Sequence, residues 1–239
     1  MLSLVIPAYN EGRRIYDNLL TISKATEEFC DDFELIPVND GSSDNTEEEI
    51  FRAAEADRRI HPVSYSKNRG KGGAIKEGVS HAQHELIGFI DADLDLSPNH
   101  FRDFIKTMND TGCDIVIGSK MHKESKLEYP VARKIFSYCY YIMLKVLFGL
   151  KIKDTQTGVK LYRSEIIKEI VPKLVTGGFA FDIEILALAA ERKAKIEERP
   201  IVLEYTRESS FGRIKVKDIW KMFTDTVKIW WNLKIRHTY

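Results

Sequence analysis

The sequence of 239 residues is poor in cysteine, and this narrows the classes of protein to which it can belong. Only Cys30, Cys113 and Cys139 are present, and no two of them are spaced as a CxxC pair. A disulfide-stapled domain or a structural zinc site needs more cysteines, or more closely spaced ones. We therefore expect neither, and this cysteine usage favours a reducing, cytosolic compartment.

The chain also lacks an excess of either charge, since 36 Lys and Arg balance 36 Asp and Glu. General nucleic-acid binders are usually strongly basic, so we expect no nucleic-acid partner. No basic leader precedes the first apolar run, and Glu11 soon follows that run, so we expect no secretory signal. The longest uncharged apolar stretch, 135–144, ends at Lys145, short of the ~20 residues that span a bilayer.

Short apolar runs alternate with longer amphipathic segments over the first 120 residues. The runs predict five buried strands, at 2–7, 33–38, 61–66, 86–90 and 113–118. Strand–helix alternation of this kind is typical of an α/β fold, in which helices cover both faces of a mostly parallel sheet. At 44% apolar residues, the composition suits one large domain, or one domain with an appendage.

The helices between these strands have recognisable start signals. Asp44 and Glu47 resemble a capping box and predict a helix that runs to about Arg58. Ser97 and Pro98 predict an N-cap and first helical residue for a later helix. Helical patterns are also present from Ile15 to Phe29 and from Lys71 to Gln83.

Polar residues follow the first four predicted strands directly, at 7–11, 39–44, 68–73 and 91–95. Parallel α/β sheets bind their ligands at the carboxyl ends of the strands. We therefore expect these four segments to converge on one edge of the sheet and to form the functional site.

The fourth of these segments carries three carboxylates at alternate positions, Asp91, Asp93 and Asp95. Like charges so close together repel one another unless a cation or a proton intervenes. Mg²⁺ and Mn²⁺ prefer such oxygen ligands and usually share their coordination with substrate phosphates. The segment therefore predicts a site for one of these two ions, and the alternative is a solvated acidic loop.

Two further segments could contact a phosphate or a base. The glycines around Lys71 would allow close backbone approach to a phosphate at a helix N-terminus, although a flexible connecting loop is the alternative. Asp40 follows the second strand and could either accept a hydrogen bond from a base or cap the next helix. Because Asp44 already fills the cap position, we expect Asp40 to be free for a ligand.

Four motifs in order, VIPAYNE, VNDGSSDNT, NRGKGGAIKEG and DADLDLSP, resemble those of family 2 glycosyltransferases over roughly residues 2–215. The resemblance implies the Rossmann-like GT-A fold and a nucleotide-sugar donor. It implies that the donor is bound by Pro7, Ala8, Tyr9, Glu11, Asp40, Lys71, Gly72, Asp91 and Ala92. It also implies that Mg²⁺ or Mn²⁺ on the diphosphate is held by Asp91, Asp93 and Asp95, with Asp93 counted as catalytic.

Within that family the chain most resembles the polyprenyl-phosphate sugar synthases of the dolichyl-phosphate mannose and glucose type. The signs are DADLDLSP, GSK at 118–120 and DTQTGVKLYR at 154–163. This resemblance implies that the acceptor phosphate is bound by Lys120, Arg133, Ser137 and Arg207, and that the two arginines are also catalytic. Arg133 and Ser137 are four residues apart and would share a helix face. Lys120 stands where many members have arginine.

The chemistry of such an acceptor is consistent with this subdivision. A phosphate monoester is largely deprotonated at neutral pH, since its second pKa is ~6, and it can attack the anomeric carbon without a base. The alternative is transfer to a saccharide or protein hydroxyl, with Asp182 or Glu184 as the base. A non-catalytic nucleotide-sugar binding module is a second alternative. Gln156 and the Phe181–Asp182 pair resemble the glucosyl members, which use UDP, while a mannosyl enzyme using GDP remains open.

Two segments are apolar enough to contact the membrane that would hold a polyprenyl phosphate. Most residues of 131–150 are apolar, and from Val216 onward aromatic and aliphatic residues recur at helical spacing between basic ones. A basic helix with tryptophan on its apolar side is typical of the membrane interface. We therefore predict a catalytic domain at 1–212 and a C-terminal helix at 213–239, peripheral on the cytosolic face. The alternative is that these stripes pack against the core or a second subunit.

Overall fold

The computed structural model describes residues 1–125, 131–176, 178, 180–202 and 216–239, with only the backbone at 131–137, 139 and 216–220. The strands in these ranges are β1 (Leu2–Ala8), β2 (Phe33–Asp40), β3 (Val63–Tyr65), β4 (Leu86–Phe89), β5 (Ile115–Ser119), β6 (Lys160–Arg163) and β7 (Ile196–Pro200). The helices are α1 (Ile15–Glu27), α2 (Thr46–Ala56), α3 (Lys71–His81), α4 (His100–Thr111), α5 (Val131–Phe148), α6 (Ser164–Ile170), α7 (Phe181–Glu191) and α8 (Val216–Trp231). A 3₁₀ turn (Val171–Lys173) follows α6, and a π-helical turn (Asn232–Arg236) follows α8.

The seven strands form one sheet in the order β3-β2-β1-β4-β6-β5-β7. All neighbouring pairs are parallel except those of β6, which runs antiparallel to both β4 and β5. The carboxyl ends of β1, β2, β4 and β5 therefore lie at the same edge as the first residue of β6. This confirms the expected mixed, mostly parallel sheet and shows which edge holds the loops of interest.

Two apolar layers cover the two faces of the sheet, because successive side chains of a strand point to opposite faces. Along β1, Leu4 belongs to the apolar layer that contains residues of α1, α2 and α4, whereas Val5 belongs to the layer that contains residues of α3, α5, α6, α7 and α8. Both side chains are fully buried. Helices thus cover both faces, as the alternation of strands and helices predicted.

Two of the predicted helix starts are wrong. Helix α2 begins at Thr46 rather than next to Asp44, and the carboxylate of Asp44 accepts hydrogen bonds from the backbone N–H groups of Gly12 (3.2 Å) and Thr46 (3.1 Å). Helix α4 begins at His100 rather than at Pro98, since the residues before it form a tight turn. Polar side chains at both positions satisfy nearby backbone groups before the helix proper begins.

The last described helix packs onto the rest of the fold. The hydroxyl groups of Tyr140 in α5 and Thr226 in α8 are hydrogen-bonded at 2.8 Å, and Ile229 is buried in the core. One side of α8 therefore packs against the core. Among the described helices, none is both long and apolar enough to cross a bilayer. The predicted boundary between 212 and 213 lies outside the described residues.

A partly buried ion pair stabilises the fold at the edge of the sheet opposite to the loops of interest. Asp57 accepts hydrogen bonds from the Nε and Nη2 of Arg59, both at 2.9 Å, and from the hydroxyl group of Ser23 at 2.5 Å. The hydrogen bonds from Arg59, opposed by partial burial, lower the pKa of Asp57 to about 2.

We expect Asp57→Asn to lower the free energy of unfolding by about 2 kcal/mol at neutral pH. A carboxyl group whose pKa is lower in the folded state stabilises the fold above its unfolded pKa. The difference from wild type should therefore shrink as the pH falls from about 5 towards about 2. Urea unfolding at several pH values measures it, with the exposed Asp110→Asn as the control. A difference that stays constant with pH would contradict the assignment.

Candidate functional site

The loops after β1 and β2 are joined by hydrogen bonds at the carboxyl edge of the sheet. The backbone N–H of Asn10 donates to the hydroxyl group of Ser42 at 3.0 Å, and the N–H of Ser43 donates to Asn10 Oδ1 at 2.9 Å. The N–H of Glu11 donates to Thr46 Oγ1 at 2.8 Å. These bonds fix the two loops against each other, as their predicted convergence requires.

The residues at the end of β1 differ in exposure. Pro7 and Ala8 are its last two residues, and Ala8 is buried. Tyr9 comes next, and half of its surface is exposed at the loop edge. An exposed aromatic ring beside a set of fixed polar loops can stack on a nucleic-acid base.

Asp40 is buried at the end of β2, and the expectation that it is free for a ligand is wrong for one of its oxygens. Oδ1 accepts hydrogen bonds from the hydroxyl group of Tyr65 and the backbone N–H of Arg69, both at 2.7 Å. The guanidinium of Arg69 lies 4.2 Å from the centre of the Tyr65 ring. Burial and the bond to Asp40 raise the pKa of Tyr65. Asp40 thus ties the loop at 68–70 to β2, and its contact with a nucleotide stays a prediction.

Helix α3 begins at this edge and places a cation beside the acidic loop. Gly70 precedes it with a φ of 76°, a conformation that favours glycine, and Lys71 is its first residue. The ammonium of Lys71 forms an ion pair with Asp91. Partial burial works to lower the pKa of Lys71, but the negative charges of Asp91 and Asp182 outweigh it and raise that pKa.

The acidic loop after β4 is turned by Leu94, which has a φ of 59°. Asp93 Oδ1 accepts a hydrogen bond from the backbone N–H of Asp95 at 3.2 Å. The carbonyl oxygen of Ala92 accepts one from Asn18 at 2.7 Å, which anchors the loop to α1. These contacts give the loop a defined shape.

The carboxylate of Asp91 lies against the backbone of Gly158, which has no side chain. A Cβ atom built at Gly158 would lie only 2.2 Å from Asp91 Oδ2. Gly158 lies in the segment before β6, and β6 pairs with β4 on the side opposite to β1. Glycine at this position lets the carboxylate of Asp91 occupy a place that any other residue would fill.

The carboxylates of this loop can supply part of the coordination of a divalent cation. Among the described residues, no three His, Cys, Asp or Glu side chains are grouped closely enough to hold a metal ion. Asp91 pairs with Lys71, and Asp93 accepts a hydrogen bond from the backbone of Asp95, so ion binding by Asp91, Asp93 and Asp95 together stays a prediction. Mg²⁺ and Mn²⁺ need only one or two protein carboxylates when phosphate oxygens and water complete the coordination. The donor set fits such an ion.

A buried ion pair lies behind the loop. Lys160, the first residue of β6, is 2% exposed, and Asp182, in the first turn of α7, is 5% exposed. Lys160 Nζ lies 2.5 Å from Asp182 Oδ1 and 2.7 Å from the carbonyl oxygen of Thr157. Burial lowers the pKa of Lys160 and raises the pKa of Asp182, and attraction between the two charges acts against both shifts.

Glu184, the other candidate base, has structural partners at both oxygens. Oε1 accepts hydrogen bonds from the backbone N–H of Val175 at 3.0 Å and from the hydroxyl group of Tyr239 at 2.5 Å. Oε2 accepts one from the backbone N–H of Thr176 at 2.9 Å and another from its hydroxyl group. Since the side chain is fully buried, Glu184 anchors the loop before α7 and the end of the described chain.

The predicted acceptor-phosphate residues are described only in part. Lys120 follows β5 at the same edge as Asp91, and its backbone N–H donates to Asp154 Oδ2 at 2.9 Å. Arg133 and Ser137 belong to α5, and the structure describes only their backbone. Arg207 lies outside the described residues altogether. The shared helix face of Arg133 and Ser137 follows from their spacing in α5, and their role stays a prediction.

Two residues of the site were missed from the sequence, Lys160 and Gly158. A lysine within the run VKLY is a usable signal, because a charged side chain in a buried strand needs a partner. Gly158 gave no comparable signal, since the approach of Asp91 to its Cα depends on how β4 and β6 pair.

The chain matches the description "Glycosyl transferase family 2" over residues 3–171. It is 34% identical over 223 residues to the dolichyl-phosphate beta-glucosyltransferase of Saccharomyces cerevisiae, an alignment that covers 84% of this chain and 66% of the yeast protein. It is 35% identical over 241 residues to dolichyl-phosphate beta-glucosyltransferase ALG5A of Trichomonas vaginalis, covering 95% of this chain and 72% of that protein. The chain thus spans about two thirds of the length of these curated relatives.

Solved structures with this fold include glucosyl-3-phosphoglycerate synthase from Mycobacterium tuberculosis. Its complex with Mn²⁺, uridine diphosphate and glucosyl-3-phosphoglycerate has a TM-score of 0.71 to this chain at 18% identity, covering 97% of this chain and 79% of that one. A complex of the same enzyme with Mg²⁺ and uridine diphosphate has a TM-score of 0.69 at 16% identity, covering 97% and 78%. At these identities the likeness shows the shared fold.

Proposed function

This chain belongs to glycosyl transferase family 2, and on that premise we propose that it transfers glucose from UDP-glucose to dolichyl phosphate or a related polyprenyl phosphate. The observation that carries the proposal is the convergence of Lys71, Asp91 and Gly158 at the carboxyl edge of the sheet. The ammonium of Lys71 and the carboxylate of Asp91 lie together at the edge where α/β sheets bind nucleotides, which supports the proposal. The relatives named as dolichyl-phosphate beta-glucosyltransferases support the sugar and the acceptor.

In the proposed reaction, an oxygen of the lipid phosphate attacks C1 of glucose, and the bond from C1 to the diphosphate breaks with inversion. Asp91 and Asp93 would hold a divalent ion, which as a Lewis acid stabilises the negative charge of the departing UDP. The ammonium of Lys71 and the N-terminus of α3 lie at the same edge. Both would attract the negative charge of the diphosphate. Exposed Tyr9 would stack on the uracil ring.

The contacts of the two candidate bases favour a phosphate acceptor over a hydroxyl acceptor. Both oxygens of Glu184 accept hydrogen bonds from the protein, and Asp182 is paired with Lys160. A hydroxyl group needs a base within reach, whereas a phosphate dianion needs only to be positioned. Lys120, Arg133, Ser137 and Arg207 are the residues that we propose for this positioning.

The face formed by α5 and α8 is our candidate for contact with the membrane that carries the acceptor. Two apolar stripes are exposed at helical spacing, Tyr138, Ile142 and Val146 on α5 and Val227, Trp231 and Ile235 on α8 and the turn that follows it. Exposed basic side chains lie among them, at Lys145, Lys221, Lys228, Lys234 and Arg236. Apolar and basic side chains together favour an anionic lipid surface, as on the cytosolic leaflet.

We expect a glucolipid to form when the protein is incubated with radiolabelled UDP-glucose, Mn²⁺ and anionic vesicles that contain dolichyl phosphate. Three reactions serve as comparisons. One contains GDP-mannose in place of UDP-glucose, one omits the divalent ion, and one contains dolichol in place of dolichyl phosphate. Sedimentation of the same vesicles measures binding to the lipid surface.

Each outcome of this assay has a definite meaning. A glycolipid formed from GDP-mannose alone would correct the donor. Label transferred to dolichol or to a sugar hydroxyl would support the hydroxyl-acceptor alternative. Donor binding without UDP release in the presence of the lipid phosphate would support a nucleotide-sugar binding module and would overturn the proposed function.

A further inference from the structure

Four charged side chains of alternating sign connect the buried core to the edge of the site. Lys160 pairs with Asp182 at 2.5 Å, and Lys71 pairs with Asp91. The inner pair is almost completely buried, whereas the side chains of the outer pair are 30% and 38% exposed. The inner pair is therefore shielded from solvent, whereas the outer pair is open to a ligand.

Packing connects the two pairs on both sides. A Cβ atom built at Gly72 would lie 2.8 Å from the Cβ of Phe181, so the start of α3 lies against the start of α7, next to Asp182. On the other side, the ammonium of Lys160 donates a hydrogen bond to the carbonyl oxygen of Thr157. The backbone of the next residue, Gly158, lies against the carboxylate of Asp91. The negative charge of Asp182 also raises the pKa of Lys71.

We propose that Lys160 and Asp182 are positioning residues for the cation–diphosphate site: Lys160 fixes Asp182, and Asp182 holds the ammonium of Lys71 beside Asp91. This proposal rests on the proposed function. A cation that binds Asp91 competes with Lys71 for its carboxylate. Because Asp182 provides a second anion, the ammonium of Lys71 can leave Asp91 and still remain at the edge, where the diphosphate is bound.

Stability alone does not explain this pair. Two buried charges lose their hydration, and replacing both with uncharged side chains of similar size is often neutral for stability. Removing only one of them leaves a buried charge unpaired and is strongly destabilising. The double variant Lys160→Met/Asp182→Asn therefore separates a positioning role from a structural one.

We expect the double variant to keep its melting temperature within about 5 °C of wild type. Its affinity for UDP in the presence of Mn²⁺, measured by titration calorimetry, should fall by about 10- to 100-fold, as for residues that support metal ligands. The control is Asp57→Asn/Arg59→Met, which removes an ion pair at the opposite edge and should leave UDP affinity unchanged.

A second measurement tests whether the pair acts through Lys71. In a Lys71→Met background, the double variant should cause little further loss of UDP affinity, because the group that it positions is absent. An equal loss in both backgrounds would overturn the proposal, as would wild-type affinity in the double variant. If wild-type protein fails to bind UDP with Mn²⁺, the proposed function fails and this inference fails with it.

Discussion

Replacing Asp91 by asparagine is expected to lower glucosyl transfer by roughly 10²- to 10³-fold at saturating substrate. Asparagine keeps the size of the side chain but removes the charge that would bind a divalent ion. The ion and its ligands stabilise charge that develops on the departing diphosphate, which contributes several kcal/mol to the transition state. Lys71 also loses the carboxylate with which it forms an ion pair.

The measurement is the initial rate of glucolipid formation at several Mn²⁺ concentrations. We expect the variant to need far more Mn²⁺ and to stay slow when Mn²⁺ is saturating. Asp110→Asn on the exposed side of α4 removes the same charge away from the edge and should keep wild-type rates. A rate for Asp91→Asn within about threefold of wild type would exclude Asp91 as a ligand of an essential ion.

The sequence predicted the five strands that lie in apolar runs and missed β6 and β7, in which charged residues are frequent. The strands β1, β2 and β4 are apolar, because helices cover both faces of the sheet at these positions. Strand β7 has the sequence IEERP and was not predicted, because it is half-buried throughout and, among the described strands, pairs with β5 alone. Strand β6 was missed because its sequence, KLYR, has a charged residue at each end.

The position of the site could be predicted, but the partners within it could not. Convergence of the loops follows from the parallel order of the strands, so the closeness of Lys71 and Asp91 was expected in outline. Which atoms pair depends on burial and register. Asp40 was expected to be free because Asp44 would cap α2, whereas Asp40 is buried against Tyr65 and Arg69. No local pattern in the sequence carries that information.

Gly158→Ala is expected to reduce glucosyl transfer at least 100-fold while leaving the fold intact. The new methyl group would lie 2.2 Å from Asp91 Oδ2 and 2.8 Å from its Cγ, so the carboxylate must move. Asp91 is partly exposed and can rotate towards solvent, which makes the stability cost small. A displacement of about 1 Å in a group that positions reacting atoms is enough for a loss of this size.

Two comparisons separate this effect from general damage. Gly178→Ala is the matched control, since a Cβ atom there has no neighbour within 4 Å among the residues that the structure describes. Both its melting temperature and its rate should equal those of wild type. Combining Gly158→Ala with Asp91→Asn should be no slower than Asp91→Asn alone, because both substitutions remove the same carboxylate from its place. Multiplied losses in the combined variant would mean that Gly158 affects transfer by a route other than Asp91.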